Sequence, residues 1–472
     1  MMDQKAAPAR RGLASKLKTL LAGAVCAAAV ALPSGAWAES LGQALADAYR
    51  NSGLLEQNRL VLKAADEDAA QALAALRPVL AWSTSARHQY GDFSGSANSA
   101  SIGLNLTHTL YDFGVGKLSV EAAKETVLVT RQQLLSIEQQ ILLRAVSSYM
   151  EVRRALQTVQ LRRANVRLLS QELQAAQDRF DVGEVTRTDV SQAEAALAAA
   201  RAGLTSAEGS LIQAQLEYEA AVGRKPGDLA PPARLGKVPA SVTEAVNIAL
   251  QNHPAMDVAR RQVTLAELTL AQADAVVKPS LDLTAGYQLN RDLDGDFTAK
   301  GGSIGLSMSG PIYSGGAVAS GRRQAVIRRD AQLANLRVVS SDVQLSVGNA
   351  FSAVQIARSA SAASAEQVRA AEVAFDGVRE EASLGSRTTL DVLTQEQALL
   401  DARVSYLSAQ VDEVLARYSL LSTMGLLTAE NLGLAVEIYD PAAYYNMVKN
   451  APAAISAQGR KLDSALRAIG KE

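Results

Sequence analysis

Hydrophobic and polar positions along the 472-residue chain follow two rhythms, and the same succession of rhythms occurs twice. From about residue 41 to 76, and again from 242 to 277, the period is helical. Each stretch ends near a proline, Pro78 or Pro279, a residue that breaks helices. A period of two follows. In Leu80-Ala81-Trp82-Ser83-Thr84-Ser85-Ala86 and in Ile102-Gly103-Leu104-Asn105-Leu106-Thr107 the larger apolar residues fall mostly on one face. The second unit repeats this with Leu281, Leu283, Ala285, Tyr287 and Leu289, then Ile304, Leu306 and Met308, set between polar positions such as Asp282, Thr284, Gln288 and Ser307. One oily and one polar face predict strands, paired as hairpins across Gly/Asp/Ser-rich loops. The strands expected at about 80–90, 101–111, 281–290 and 302–313 are roughly ten residues long, the length of a transmembrane β-strand.

Beyond Gly114 and Gly316 the helical period returns and runs without proline to about Phe180 and Ser383. Some 65 residues at about 1.5 Å each make on the order of 100 Å of helix. A glycine turn, Gly183 or Gly385, leads into a returning helix that ends at Gly223 or Gly425. On the first return, Val190, Ala193, Leu197, Ala200, Leu204, Ala207, Leu211, Ala214, Tyr218 and Ala221 keep the alternating three–four spacing of a coiled-coil seam.

The two units align residue by residue. Gly183-Glu184-Val185-Thr186-Arg187-Thr188-Asp189-Val190 lines up with Gly385-Ser386-Arg387-Thr388-Thr389-Leu390-Asp391-Val392, Glu194 matches Glu396, and Tyr111 matches Tyr313. Near the start of each unit Asn51, Arg59 and Pro78 match Asn252, Arg260 and Pro279. The organisation is therefore a first repeat over 39–235, a second over 236–430, and an Ala-rich tail over 431–472 expected to be equatorial or mobile. Four strands cannot close a barrel, since about eight are needed, and an open oily sheet would leave bare edges. The chain must share its barrel with copies of itself; two, three or four copies satisfy the count.

Composition sharpens this picture. Aromatics are only 4% and alanine is abundant, which suits long, closely approaching helices better than a thick globular core. A net charge of -1 argues against a nucleic-acid partner. At the N-terminus Arg10, Arg11, Lys16 and Lys18 precede an apolar run and an Ala36-Trp37-Ala38 site, so residues 1–38 read as a secretory signal peptide. The only cysteine, Cys26, lies within it, and Val25 before it argues against a lipid anchor.

The tip turns carry a resemblance. Gly385-Ser386-Arg387-Thr388-Thr389-Leu390-Asp391-Val392-Leu393, with Phe180-Asp181-Val182-Gly183 and Thr188-Asp189-Val190 in the first repeat, resembles the tip turns of the TolC-type outer-membrane efflux and secretion family. The resemblance implies a mostly α fold with a β-barrel contribution: four strands per chain in a shared twelve-stranded barrel above a coiled-coil α-helical tunnel. It implies a homotrimer in the outer membrane of a Gram-negative bacterium, with its tunnel in the periplasm. The partners implied are outer-membrane lipid, a periplasmic adaptor (membrane fusion protein) and an inner-membrane ABC or proton-driven pump. The implied function is export of proteins, as in type I secretion, or of small toxic molecules. By position Asp391 matches the family's aspartate ring at the periplasmic gate, while Thr394 stands where a second acid often occurs. Arg387 with Thr188 and Asp189 matches the links that close the gate, although an assisting tyrosine is replaced by Ala382. Helix capping explains Thr186-x-x-Asp189 and Thr388-x-x-Asp391 equally well, and Arg387 could pair with Asp391 inside one helix.

Trp82, Tyr90, Tyr111, Tyr287 and Tyr313 are candidates for interfacial aromatic belts, with core packing as the alternative for some of them. His88, His108 and His253 lack metal-ligand spacing. The acidic run Asp292–Asp296 lacks the glutamate of a calcium loop and reads as a solvated hairpin tip. Without a phosphate loop or a nucleophile–base pair, no cofactor and no enzymatic activity are expected. A periplasmic adaptor also uses long helical hairpins, but it would need an inner-membrane anchor or lipid and a small β-domain around one hairpin, and the twofold repeat and membrane-length strands argue against it.

Overall fold

A computed structural model describes residues 39–91, 97–232, 239–295 and 297–469. The expected leader with Cys26, the junction of the repeats at 235/236 and Asp296 lie outside them. The first repeat runs α1 (Leu41–Asn51), α2 (Gly53–Ala74), β1 (Val79–Gln89), β2 (Ala97–Tyr111), α3 (Val115–Asp181) and α4 (Arg187–Val222). The second runs α5 (Val242–Asn252), α6 (Pro254–Ala275), β3 (Ser280–Asp292), β4 (Thr298–Ser309), α7 (Ala317–Ser383) and α8 (Thr389–Thr423). Two short helices, α9 (Ala443–Val448) and α10 (Ala457–Ile469), follow.

Each opening segment is two helices rather than the one expected from periodicity. Ser52 is extended (φ -71°, ψ 108°), and its hydroxyl accepts the Leu55 N–H to cap α2. In the second repeat His253 precedes Pro254, whose ring pushes it out of the helical region, and its Nδ1 accepts the Ala255 N–H at 3.1 Å. The break serves packing. Asn51 donates to the Val222 carbonyl at 3.0 Å, and a Cβ on Gly223 would lie 2.7 Å from the Asn51 side chain. A Cβ on Gly425 would lie 2.5 Å from the Asn252 carbonyl oxygen. The matched asparagines and glycines of the sequence repeat thus meet each other, once per unit.

The strands form one antiparallel sheet in the order β1-β2-β3-β4. Trp82 sits opposite Leu104, and Leu104 opposite Tyr287; Leu106 faces Ala285, which faces Ile304. The alternation therefore keeps one face oily, and this face is bare: Trp82 is 72% and Ile304 83% exposed. Asn105, Ser83, Gly286 and Ser303 line the opposite face in register. β4 stops at Ser309, short of the expected 313, because Pro311 has no N–H for a ladder.

α3 and α7 are each 67 residues long, about 100 Å at 1.5 Å per residue. They pair with the returning helices α4 and α8. All ten positions of the α4 seam are buried or half-buried. The main core lies at the waist, where α1, α2, α3, α4 and α8 meet around the fully buried Tyr149 and Tyr218. Buried Glu39 accepts the Tyr218 hydroxyl and pairs with Arg224 at 2.7 Å. The tail packs beside α2: Tyr444 donates to Glu67 at 2.7 Å, and Arg77 to the carbonyls of Asn450 and Ala451.

Candidate functional site

The tips are built twice from the same parts. At the first, Gly183 adopts φ 81° and the Glu184 N–H reaches back to the Arg179 carbonyl at 2.9 Å. At the second, Gly385 adopts φ 80° and the Ser386 N–H reaches Glu381 at 3.0 Å. Both are helix stops that need a left-handed residue, which explains glycine at these positions. A capping box then starts each return. The Thr186 N–H and hydroxyl donate to Asp189 Oδ2 at 2.9 and 2.7 Å; the Thr388 N–H and hydroxyl donate to Asp391 Oδ2 at 3.0 and 2.9 Å.

Capping of both acids is thus realised. It occupies one oxygen of each, and among the described residues Oδ1 of Asp391 accepts no hydrogen bond within the chain. The Thr388 backbone and hydroxyl, together with the nearby Arg387 charge, hold the Asp391 carboxyl below its ordinary range, so it is ionised at neutral pH. Asp189 is lowered in the same way by Thr186. Arg387 departs from expectation. Its Nε pairs with Glu381 Oε2 at 2.8 Å, within its own turn, rather than with Thr188 or Asp189. The glutamate at the end of α7 is the nearer acceptor, and Asp189 is already engaged by its own cap. Thr188 is exposed near the start of α4, and the Thr394 hydroxyl bonds the Leu390 carbonyl.

Above the tip lies a buried polar contact that tip motifs do not announce. Asn165 Nδ2 on α3 donates to Glu396 Oε1 on α8 at 2.6 Å, and Glu396 Oε2 has no partner. The pair borders a cleft of about 330 Å³. Burial drives the Glu396 carboxyl up to about 7; Asn165 opposes this, Glu172 adds to it and Arg379 opposes it. The signal was present in the sequence: Glu396 occupies an apolar stripe between Val392, Leu393, Leu399 and Leu400, all buried.

The aromatic candidates separate along the sheet. Tyr111 lies at the helix-side end of β2 against Phe113 (4.7 Å between centroids), and Tyr313 lies beyond β4 in the link to α7. Tyr90 follows β1 at the hairpin tip, while Trp82 and Tyr287 share one row of the oily face. Among the described residues no helix is long and apolar enough to cross a membrane, and no three metal-ligating side chains cluster.

The family model for outer membrane efflux proteins matches residues 44–224 and 245–426, one match per repeat. Outer membrane efflux protein BepC of Brucella suis is 33% identical over 436 residues, covering 92% of this chain and 96% of that protein. Outer membrane protein TolC of Vibrio cholerae is 25% identical over 438 residues, covering 88% and 97%. The Campylobacter jejuni CmeC outer membrane channel superposes with a TM-score of 0.74 at 15% identity, over 89% of this chain and 91% of that one, and shares its fold.

Proposed function

The chain belongs to the outer membrane efflux protein family, and from that premise we propose that three copies close one twelve-stranded barrel over a periplasmic helical tunnel. The observation that carries the reading is the four-stranded sheet with one bare oily face and two open edges, β1 and β4. An open oily sheet is stable only if copies pair its edges and lipid covers its face. At 11 to 15 residues and about 3.3 Å per residue, tilted strands of this kind span a hydrocarbon core of about 30 Å. The helices then continue the duct for about 100 Å into the periplasm, toward an adaptor and an inner-membrane pump that supplies the energy. Cargo, whether small toxic molecules or unfolded protein, passes along the inside without chemical change. At the tip, three Asp391 carboxylates around the axis form a cation-binding ring that narrows the entrance.

The test is assembly. In detergent, the mature protein is expected to scatter light as a trimer. Arginine at Leu104 or Leu306 is expected to cost about 2–4 kcal/mol near the bilayer midplane and to block outer-membrane assembly, whereas arginine at Asn105 or Ser307 is tolerated. A monodisperse monomer, or equal effects on both faces, overturns the reading.

A further inference from the structure

Resting on removal of residues 1–38 as a leader, and whatever the number of copies that close the barrel, we propose that the waist of the first repeat is a socket for the chain's own processed end. Glu39, released when the leader is cut after Ala38, seats in this socket and ties the start of the chain to α3 and α4. Glu39 is 6% exposed, and every polar group it carries is engaged. Its nitrogen donates to the Asp228 carbonyl at 2.6 Å; its carbonyl accepts the Ala230 N–H at 2.9 Å and the Tyr149 hydroxyl at 2.8 Å. Its carboxylate accepts the Tyr218 hydroxyl, both arms of Arg224 at 2.7 and 2.9 Å, and the Gly227 N–H at 3.3 Å. Burial, and then the carboxylate beside it, hold the Tyr218 hydroxyl well above its ordinary range, so it remains a donor.

The second repeat shows what the socket is for. The two starts align residue by residue: Ser40 caps α1 by accepting the Gln43 N–H at 3.3 Å, and Ser241 caps α5 by accepting the Glu244 N–H at 3.2 Å. One position earlier, Glu39 matches Ala240, which is exposed. The offset that carries Asn51 onto Asn252 carries Asp47, paired with Arg224 at 2.8 Å, onto Ile248. The offset that carries Gly183 onto Gly385 carries Tyr149, Tyr218 and Arg224 onto Phe351, Leu420 and Leu426. All four counterparts are apolar and pack in the core of the second repeat. The polar socket thus exists only where the expected mature chain begins.

The physical reason lies in chain continuity. Ala240 has covalent chain on both sides, so its place is fixed from either direction. Once the leader is gone nothing precedes Glu39, and a chain end frays unless it is tied down. Hydrogen bonds then supply what the chain itself supplies in the second repeat. A buried carboxylate without partners is costly, whereas one gripped by both arms of an arginine and by a hydroxyl holds a single geometry. An end one residue shorter would begin at Ser40, whose hydroxyl is already committed to capping α1. The socket therefore fits a glutamate end at this position.

Aminopeptidase digestion of the mature protein, purified whole from membranes, reads the socket. Its intact mass is expected to show a chain that begins at Glu39. A peptide of residues 39–48 gives the rate at which the enzyme removes this glutamate when it is free. On the folded protein, removal is expected to be at least about a hundredfold slower, because cleavage follows the population of the opened end. A variant with one alanine added before Glu39 is expected to lose that alanine and then stop. Tyr218→Phe, which deletes one hydrogen bond to the carboxylate, is expected to speed loss of Glu39 about tenfold. If that variant fails to fold by circular dichroism, Arg224→Lys, which keeps the charge but not the two-armed grip, carries the same expectation. A chain that begins at Glu39 yet loses it as fast as the peptide overturns the socket and leaves the leader standing. Trimming of the added alanine that runs on through Glu39, or equal rates in wild type and the folded variant, overturns the socket as well. A mass that begins elsewhere overturns the leader boundary and the socket together.

Discussion

Glu396 makes the stability of the helical barrel depend on pH. Its carboxyl is buried, one oxygen is held by Asn165 and the other is unpartnered. Burial raises its pKa from 4.5 to about 7. The charged groups facing it are of both signs: Glu172 on α3, Arg379, Glu372 and Asp376 on α7, and Arg403 on α8. Because the folded-state value lies above the unfolded one, the neutral acid's contribution is full below pH 4.5, falls as pH rises, and is gone above about 7. The shift corresponds to on the order of 3 kcal/mol per subunit. Glu396→Gln keeps the acceptor for Asn165 and, like the protonated acid, places a donor at the second position, but it does not titrate. Denaturant unfolding of the detergent-solubilised protein, followed by helical circular dichroism, is expected to show wild type and variant alike near pH 5. Near pH 8.5 the variant is expected to be the more stable by about that amount. Parallel pH profiles for the two proteins would refute the assignment.

The gate gives a separate test. If three Asp391 carboxylates line the tip, polyvalent cations are expected to block conductance in planar bilayers. Asp391→Ala is expected to relieve it; an unchanged block in a folded variant trimer removes the ring and leaves the duct. At the waist, Gly425→Ala places a Cβ at φ 77° and 2.5 Å from the Asn252 carbonyl oxygen, whereas Gly385→Ala meets the same strain in open space. Thermal unfolding is expected to show a loss on the order of 1–2 kcal/mol for Gly385→Ala and distinctly more for Gly425→Ala; equal losses would show that the close approach is not felt.

Periodicity alone determined a great deal. Period two over ten residues with one oily face can be satisfied only by a strand with lipid or core on one side, and the alternation in Leu80-Ala81-Trp82-Ser83 reappears as the face it implied. The seam of α4 and the capping spacings were equally legible, because helical neighbours are set by local geometry, three and four residues apart. The duplication was readable for the same reason: matched residues need no coordinates. Tertiary structure decided what depends on residues far apart in the chain. The breaks at Ser52 and His253 follow local capping and the proline after His253, but that they let Gly223 and Gly425 come close to Asn51 and Asn252 is decided only by packing. Arg387 pairs with Glu381, six residues before it, across the tip turn, a contact set by the shape of the turn rather than by helical spacing. The apolar stripe around Glu396 marks it for burial, but that Asn165 of the other long helix is its partner is decided only by the packed pair, and the raised pKa follows from that packing.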